Sequence, residues 1–262
     1  MKRNISLSTY VHAGTLLLSA FLICIILFQC VFPLSKIHSM EANKSLPIYC
    51  VDTPKNIVSL SFDAAWGNED TKDILKILKE KNIHVTFFMT GGWVSSYPDD
   101  VKRIAKAGHD LGNHSENHKQ MSQLSMDACK SEIMTVNDKI KELTGITPTL
   151  FRPPYGDYNN TLINCVKDCH YHCIQWDVDS LDWKNYGVDS IVSTVLNHPH
   201  LGNGSIILMH NGAKYTKDAL PLVIDGLQKK GFEIVPISRL IYKNDYEMDH
   251  EGRQHLIHSN HS

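Results

Sequence analysis

The sequence predicts an α/β fold, a (β/α) barrel of about seven strands preceded by a single N-terminal transmembrane helix. Three observations carry that reading. From Ile57 onward, short apolar runs rich in β-branched residues alternate with amphipathic stretches of helical period. The polar residues of chemical interest fall at or just beyond the ends of the apolar runs, where the sites of parallel α/β barrels gather. The chain opens on Lys2 and Arg3, followed by a largely apolar stretch from about Val11 to Leu34.

That opening stretch, roughly 20 residues long, matches the thickness of bilayer hydrocarbon. It is apolar on all faces, which a surface helix of a globular core is not. The positive flank keeps the N-terminus in the cytoplasm and sends the rest across. The expected arrangement is a single-pass protein of the cell membrane with an extracytoplasmic domain. A cleaved signal peptide is the rival reading, but the stretch is long and lacks a small-x-small cleavage site. Residues 1–34 are then a cytoplasmic stub and anchor, and residues 35–56 a polar stalk interrupted by Lys, Pro and Asn. Residues 57–242 form the domain, and residues 243–262, rich in charge and histidine, a disordered tail.

Within the domain the strand-like runs are IVSLSF, VTFFMT, HDLGNH, TLFRPP, YHCIQWDV, SIILMH and EIVPIS. In the first amphipathic stretch Ile74, Leu75, Ile77 and Leu78 make one apolar stripe with lysines opposite. Gly108, Gly145 and Gly231 stand where helices need a left-handed C-cap. A hydrophobic fraction of 42% supports a core, and a formal charge of −2 argues against nucleic acid as a partner. Cys165, Cys169 and Cys173, with His170 and His172 between them, read as buried small hydrophobes. Zinc sites more often use closely spaced CxxC pairs.

Five motifs carry the chemistry. SFDAAWG delivers Asp63 to a strand end, as a general base whose pKa a low-dielectric pocket raises, or, more plainly, as a helix cap. In NHSENH, His114 and His118 are four apart, which puts two imidazoles on one face of a helical turn, a recurrent metal-binding arrangement. FRPPYG supplies Arg152, whose permanent charge can hold a carboxylate. Its two prolines stiffen a loop whose Tyr155–Gly156 backbone can present amide donors to an oxyanion. WDVDSLDW sets three acids between two indoles, suiting a carbohydrate groove. ILMHNG ends a strand on His210, a candidate general acid adjusted by a neighbouring acid such as Asp179.

In order and composition these five motifs resemble the NodB-homology polysaccharide deacetylases, a family of metal-dependent carbohydrate esterases, over about Ile57 to Leu240. The FDAAWG form and the single anchor look like the sporulation or cell-wall branch of Gram-positive spore formers. The resemblance implies a distorted (β/α) barrel and a divalent metal, zinc first, with cobalt or manganese as alternatives. It implies Asp63 as the catalytic base, Arg152 holding it, His210 as the acid and Asp179 tuning that acid. His114 and His118 become metal ligands, while Pro154, Tyr155, Trp183 and Leu208 line the substrate groove. The implied substrate is peptidoglycan or another N-acetylglucosamine polymer, with acetate released.

One position departs from the pattern. The family carries a second Asp directly after the base as a third metal ligand, and here the residue is Ala64. Alanine coordinates nothing, so the metal loses an anionic ligand unless water, Asp63, Glu69 or Asp70 replaces it. The alternative function is therefore a non-catalytic wall-glycan-binding relative that has lost turnover through Ala64.

Overall fold

The structure, a computed structural model, describes residues 45–257; the expected anchor, residues 1–34, lies outside them. In chain order the strands are β1 (Cys50–Val51), β2 (Ile57–Ala64), β3 (Thr86–Met89), β4 (Asp110–Asn113), β5 (Leu150–Phe151) and β6 (His172–Cys173). They continue with β7 (Val178–Asp179), β8 (Ile206–His210), β9 (Glu233–Ile234), β10 (Tyr246–Met248) and β11 (Arg253–Leu256). The helices are α1 (Thr71–Glu80), α2 (Gly91–Ser96), α3 (Pro98–Lys106), α4 (Met126–Thr144), α5 (Asn160–Asp168), α6 (Val188–Leu196), α7 (Thr216–Lys229) and α8 (Ile237–Leu240).

Seven strands form one parallel sheet in the order β6-β5-β4-β3-β2-β8-β7, and β9 pairs with the start of β2. The alternation of β2 explains its place at the centre. Val58, Leu60, Phe62 and Ala64 join the core under the helices, against Ile74, Leu78, Val223 and Leu227. Ser59, Ser61 and Asp63 alternate with them on the opposite, inner face. There Ser59 Oγ donates to Val235 O and Ser61 Oγ to Ile207 O, so neither buried hydroxyl is left unpaired. A second core, with Phe88, Ile174, Ile206, Val235 and Ile237, fills the concave side.

Helix ends follow local chemistry. The Ser125 hydroxyl accepts from Ala128 N–H to cap α4, and Asn159 Oδ1 accepts from Leu162 N–H to cap α5. Gly108, Gly145 and Gly231 all sit at positive φ, as expected of C-caps. The five cysteines of the described residues are free thiols, and Cys165 and Cys173 are buried.

Three expectations change. The sheet is curled but not a closed barrel, because β6 and β7 end it without pairing with each other. The seam between them is occupied by residues 48–51, from the segment expected to be stalk. Ile48 bridges to Ile174, and Cys50 to Ser205, while Ile48 and Val51 are buried. From Lys243 to Ile257 the chain is ordered rather than disordered: β10 and β11 form an antiparallel hairpin whose second strand runs parallel to β1. Polar side chains hold this hairpin, so its low apolar content was a misleading sign. Fully buried Gln254 pairs with both the N–H and the C=O of Tyr242, and His255 sits between Asp52 and Asp249, 3.0 Å from each.

Candidate active site

Strand register assembles the centre. Asp63 at the end of β2 pairs in register with His210 at the end of β8, and Ser61 with Leu208, so all four side chains share the concave face. Arg152, just past β5, is wholly buried; its Nη1 donates to Asp63 Oδ1 at 2.7 Å and its Nη2 to Ser61 Oγ at 2.8 Å. Phe88 lies under the guanidinium, with Cζ 4.1 Å from the ring centroid. Burial alone would raise the Asp63 carboxyl, but Arg152 and the nearby imidazoles outweigh it and hold it below the usual value. The raised pKa expected of this base is thus corrected: a buried cation in direct contact wins over desolvation.

His114 and His118 come together, though not on a helix. Residues 114–119 form a loop in which Ser115 and His118 take positive φ, and this folds the two rings to 4.9 Å, edge to face. Two residues not singled out by sequence hold the loop. Buried Asn113 accepts from Ser115 N–H, and Glu132 of α4 accepts from both the backbone and side-chain amides of Asn117. His114 Nδ1 donates to Arg152 O at 2.7 Å, which leaves Nε2 as the lone-pair nitrogen, 3.5 Å from Asp63 Oδ2. Burial pushes His114 down to about 4, partly opposed by Asp63, and burial also lowers His118. Both imidazoles are therefore neutral at pH 7, the form a metal ligand requires.

The acid that orients His210 is Asp182, not Asp179. Asp182 is fully buried, and its Oδ1 lies 2.7 Å from His210 Nδ1. Its Oδ2 accepts from His210 N–H and from the Thr216 hydroxyl. Asp179 instead accepts from Leu181 N–H. The physical reason is local: Leu181 adopts a left-handed conformation, which turns the chain after β7 so that Asp182 points inward. Burial would lower His210, but the Asp182 hydrogen bond and charge raise it above the ordinary imidazole value. Trp66 stacks on the His210 ring at 5.6 Å and 19°, a partner that FDAAWG offered and sequence reasoning left unused. Asp70 accepts from Gly212 N–H through both oxygens, tying the Trp66 loop to the turn after His210.

The groove residues surround this centre. Tyr155 lies in a turn at φ 61°, its exposed ring 4.6 Å from that of His118, and Pro154 beneath it is buried. Leu208 is buried on the concave face, while Trp183 is half exposed at the rim. Ala64 is wholly buried against the helices. Among the described residues no group of three His, Cys, Asp or Glu side chains could hold a metal. His114 and His118 fit two positions of a divalent ion, and among the described residues no third such side chain joins them.

Comparison with known proteins agrees with this fold. The sequence pattern of the family described as "Polysaccharide deacetylase" matches residues 51–174. An uncharacterised 30.6 kDa protein of Geobacillus stearothermophilus is 36% identical, over 78% of this chain and 78% of its own length. A Bacillus cereus peptidoglycan-N-acetylglucosamine deacetylase is 33% identical over 74% of this chain and 93% of its own. Among solved structures, a CE4 family pseudoenzyme from Bacillus anthracis superposes with a TM-score of 0.72 at 32% identity, covering 76% of this chain and 69% of that one. A mutant of that pseudoenzyme has restored enzymatic activity. The matched segment, these relatives and the curled parallel sheet agree: the chain belongs to the polysaccharide deacetylase family.

Proposed function

We propose that this protein hydrolyses N-acetyl groups of a cell-wall glycan, peptidoglycan first and chitin-like polymers second, releasing acetate. The observation that carries the reading is the Asp63–His210 pair, set side by side in register, each fixed by its own buried partner. Asp63, kept ionised by Arg152, takes the proton of the attacking water. The Tyr155 backbone N–H is the candidate donor to the developing oxyanion. His210, with Nδ1 committed to Asp182, presents Nε2–H to protonate the departing amine. Leu208 walls the acetyl group, and Trp183 and Pro154 shape the groove for the sugar.

A divalent ion, zinc first with cobalt or manganese as alternatives, would be held by His114 and His118. Bound there, it would supply Lewis-acid polarisation. The low pKa of both rings and the fixed tautomer of His114 support that assignment. Placement at the cell membrane, catalytic domain outward, rests on the apolar run from Val11 to Leu34.

Ala64 favours a second reading, a wall-glycan-binding protein without turnover, and the similarity to a pseudoenzyme supports it. Acetate release from N-acetylated glycan, with and without added Zn²⁺, Co²⁺ or Mn²⁺, separates the two. The enzyme reading expects release that Asp63→Asn abolishes. Glycan binding with no release under any metal leaves the second reading standing.

A further inference from the structure

A basic surface lies at the opposite ends of the parallel strands from this centre. A groove of about 690 Å³ runs between α1 and α3, at the end of the sheet where β3 and β4 begin. Lys72, Lys76 and Lys79 edge it from α1, spaced four and three apart on one helical face, and Arg103 and Lys106 edge it from α3. No acid is among its lining residues. That is a local asymmetry, since the whole chain carries a formal charge of −2. Lys76 has Glu80 at 3.9 Å and Arg103 has Asp100, but Lys72, Lys79 and Lys106 make no ion pair among the described residues. A separate observation comes from the floor. His109 is 94% buried by its 6% exposure, and its Nδ1 accepts from Val85 N–H at 3.2 Å. Its Nε2 therefore carries the proton, finds no partner among the described residues, and belongs to the groove lining. Burial moves His109 down to about 4, so this donor stays neutral.

We propose that this groove binds a linear phosphodiester chain, a polyol phosphate of the kind anionic envelope polymers contain. Three unpaired cations on two walls, with Lys76 and Arg103 beside them, match a charge repeated along a strand, and the His109 N–H at the floor gives one phosphate oxygen a neutral donor. Apolar Leu75, Leu78 and Ile83 accommodate the carbon segments between phosphates. A concave slot with a donor at its base suits a strand that enters it; a flat lipid surface would reach the rim lysines alone.

The test is binding of a synthetic poly(glycerol phosphate) chain to the full protein, by calorimetry at several salt concentrations. The expected result is salt-sensitive binding that the triple variant Lys72→Glu, Lys79→Glu, Lys106→Glu weakens at least about tenfold. These side chains are solvent-exposed, so circular dichroism and acetate release from N-acetylglucosamine oligomers should be unchanged. A shift of the His109 imidazole ¹⁵N resonance on adding the polymer locates the strand on the groove floor. No binding, or binding the triple variant retains, overturns the proposal. So does a preference for phosphatidylglycerol over phosphatidylcholine vesicles that matches polymer binding and is lost in the same variant, which would assign the lysines to a lipid surface. A fall in acetate release in step with polymer binding also overturns the proposal, since the two would then share one site.

Discussion

Replacing Asp182 by Asn leaves His210 Nδ1 facing an amide and removes the charge that lifts its pKa. A group with a raised pKa stays protonated until pH passes that value, so the alkaline fall in acetate release should lie above the ordinary imidazole range. In Asp182→Asn that fall should move to lower pH, with kcat down about 10²–10³-fold. Asp179→Asn should move it far less, since Asp179 acts on His210 through space alone. Losing Arg152 would strand the buried Asp63 carboxylate; Arg152→Met should cost about 3–5 kcal/mol in urea unfolding. Ala64→Asp should tighten Zn²⁺ binding measured by chelator competition only if the strand end turns that side chain from the helix core toward the histidines, and unchanged affinity would show that it stays in the core. Sequence made most of this centre legible, because strand-end polar residues in parallel sheets converge whatever the details. It could not choose among the three acids of WDVDSLDW, since one left-handed residue, Leu181, decides which of them points inward.

The loop bearing His114 and His118 depends on α4 more than on its own sequence. Glu132 accepts from Asn117 twice and also pairs with Lys119, which together lower its pKa against the effect of burial. Glu132→Ala should speed proteolytic cleavage after Lys119 and weaken metal binding together, as a loosened ligand loop requires. The histidine spacing was readable, but the helix inferred from it was not there. Four-residue spacing serves a helix or a doubly kinked loop equally, and the positive φ values of Ser115 and His118 leave no trace in residue type. The C-terminal hairpin offers another element-level expectation. His255 is raised by its hydrogen bonds to Asp249 and Asp52, and Asp249 is lowered, burial notwithstanding, mainly by the same pairing. The histidine's contribution is full below its unfolded pKa and fades as pH rises through the folded one. The aspartate's contribution fades as pH falls through its own. Amide exchange across Arg253–Leu256, corrected for intrinsic rate, should be slowest between those limits, and His255→Gln should flatten the alkaline side.

At the scale of the whole molecule, the curled sheet is sealed by strands from opposite ends of the described chain. Ile48 fills the space beside Ile174 with 3% of its surface exposed, so Ile48→Ala should cost about 2–4 kcal/mol by thermal or urea unfolding. A loss near zero would mean the seam can reclose around the gap. The strand–helix alternation from Ile57 onward was plain in the sequence because each element repeats its own apolar period. The flanks were not, because two-residue strands such as β1 and polar strands such as β11 have too little period to show. Their pairing, Cys50 with Arg253 and Val51 with Gln254, joins residues some 200 positions apart. The central strands can therefore pair early, and residues 48–51 can dock beside Ile174 and Ser205 with them, while the pairing of β1 with β11 waits for the far end of the domain. Docking of β11 becomes the step that locks the fold, and a chain cut short before Arg253 would present an open-edged intermediate to chaperones.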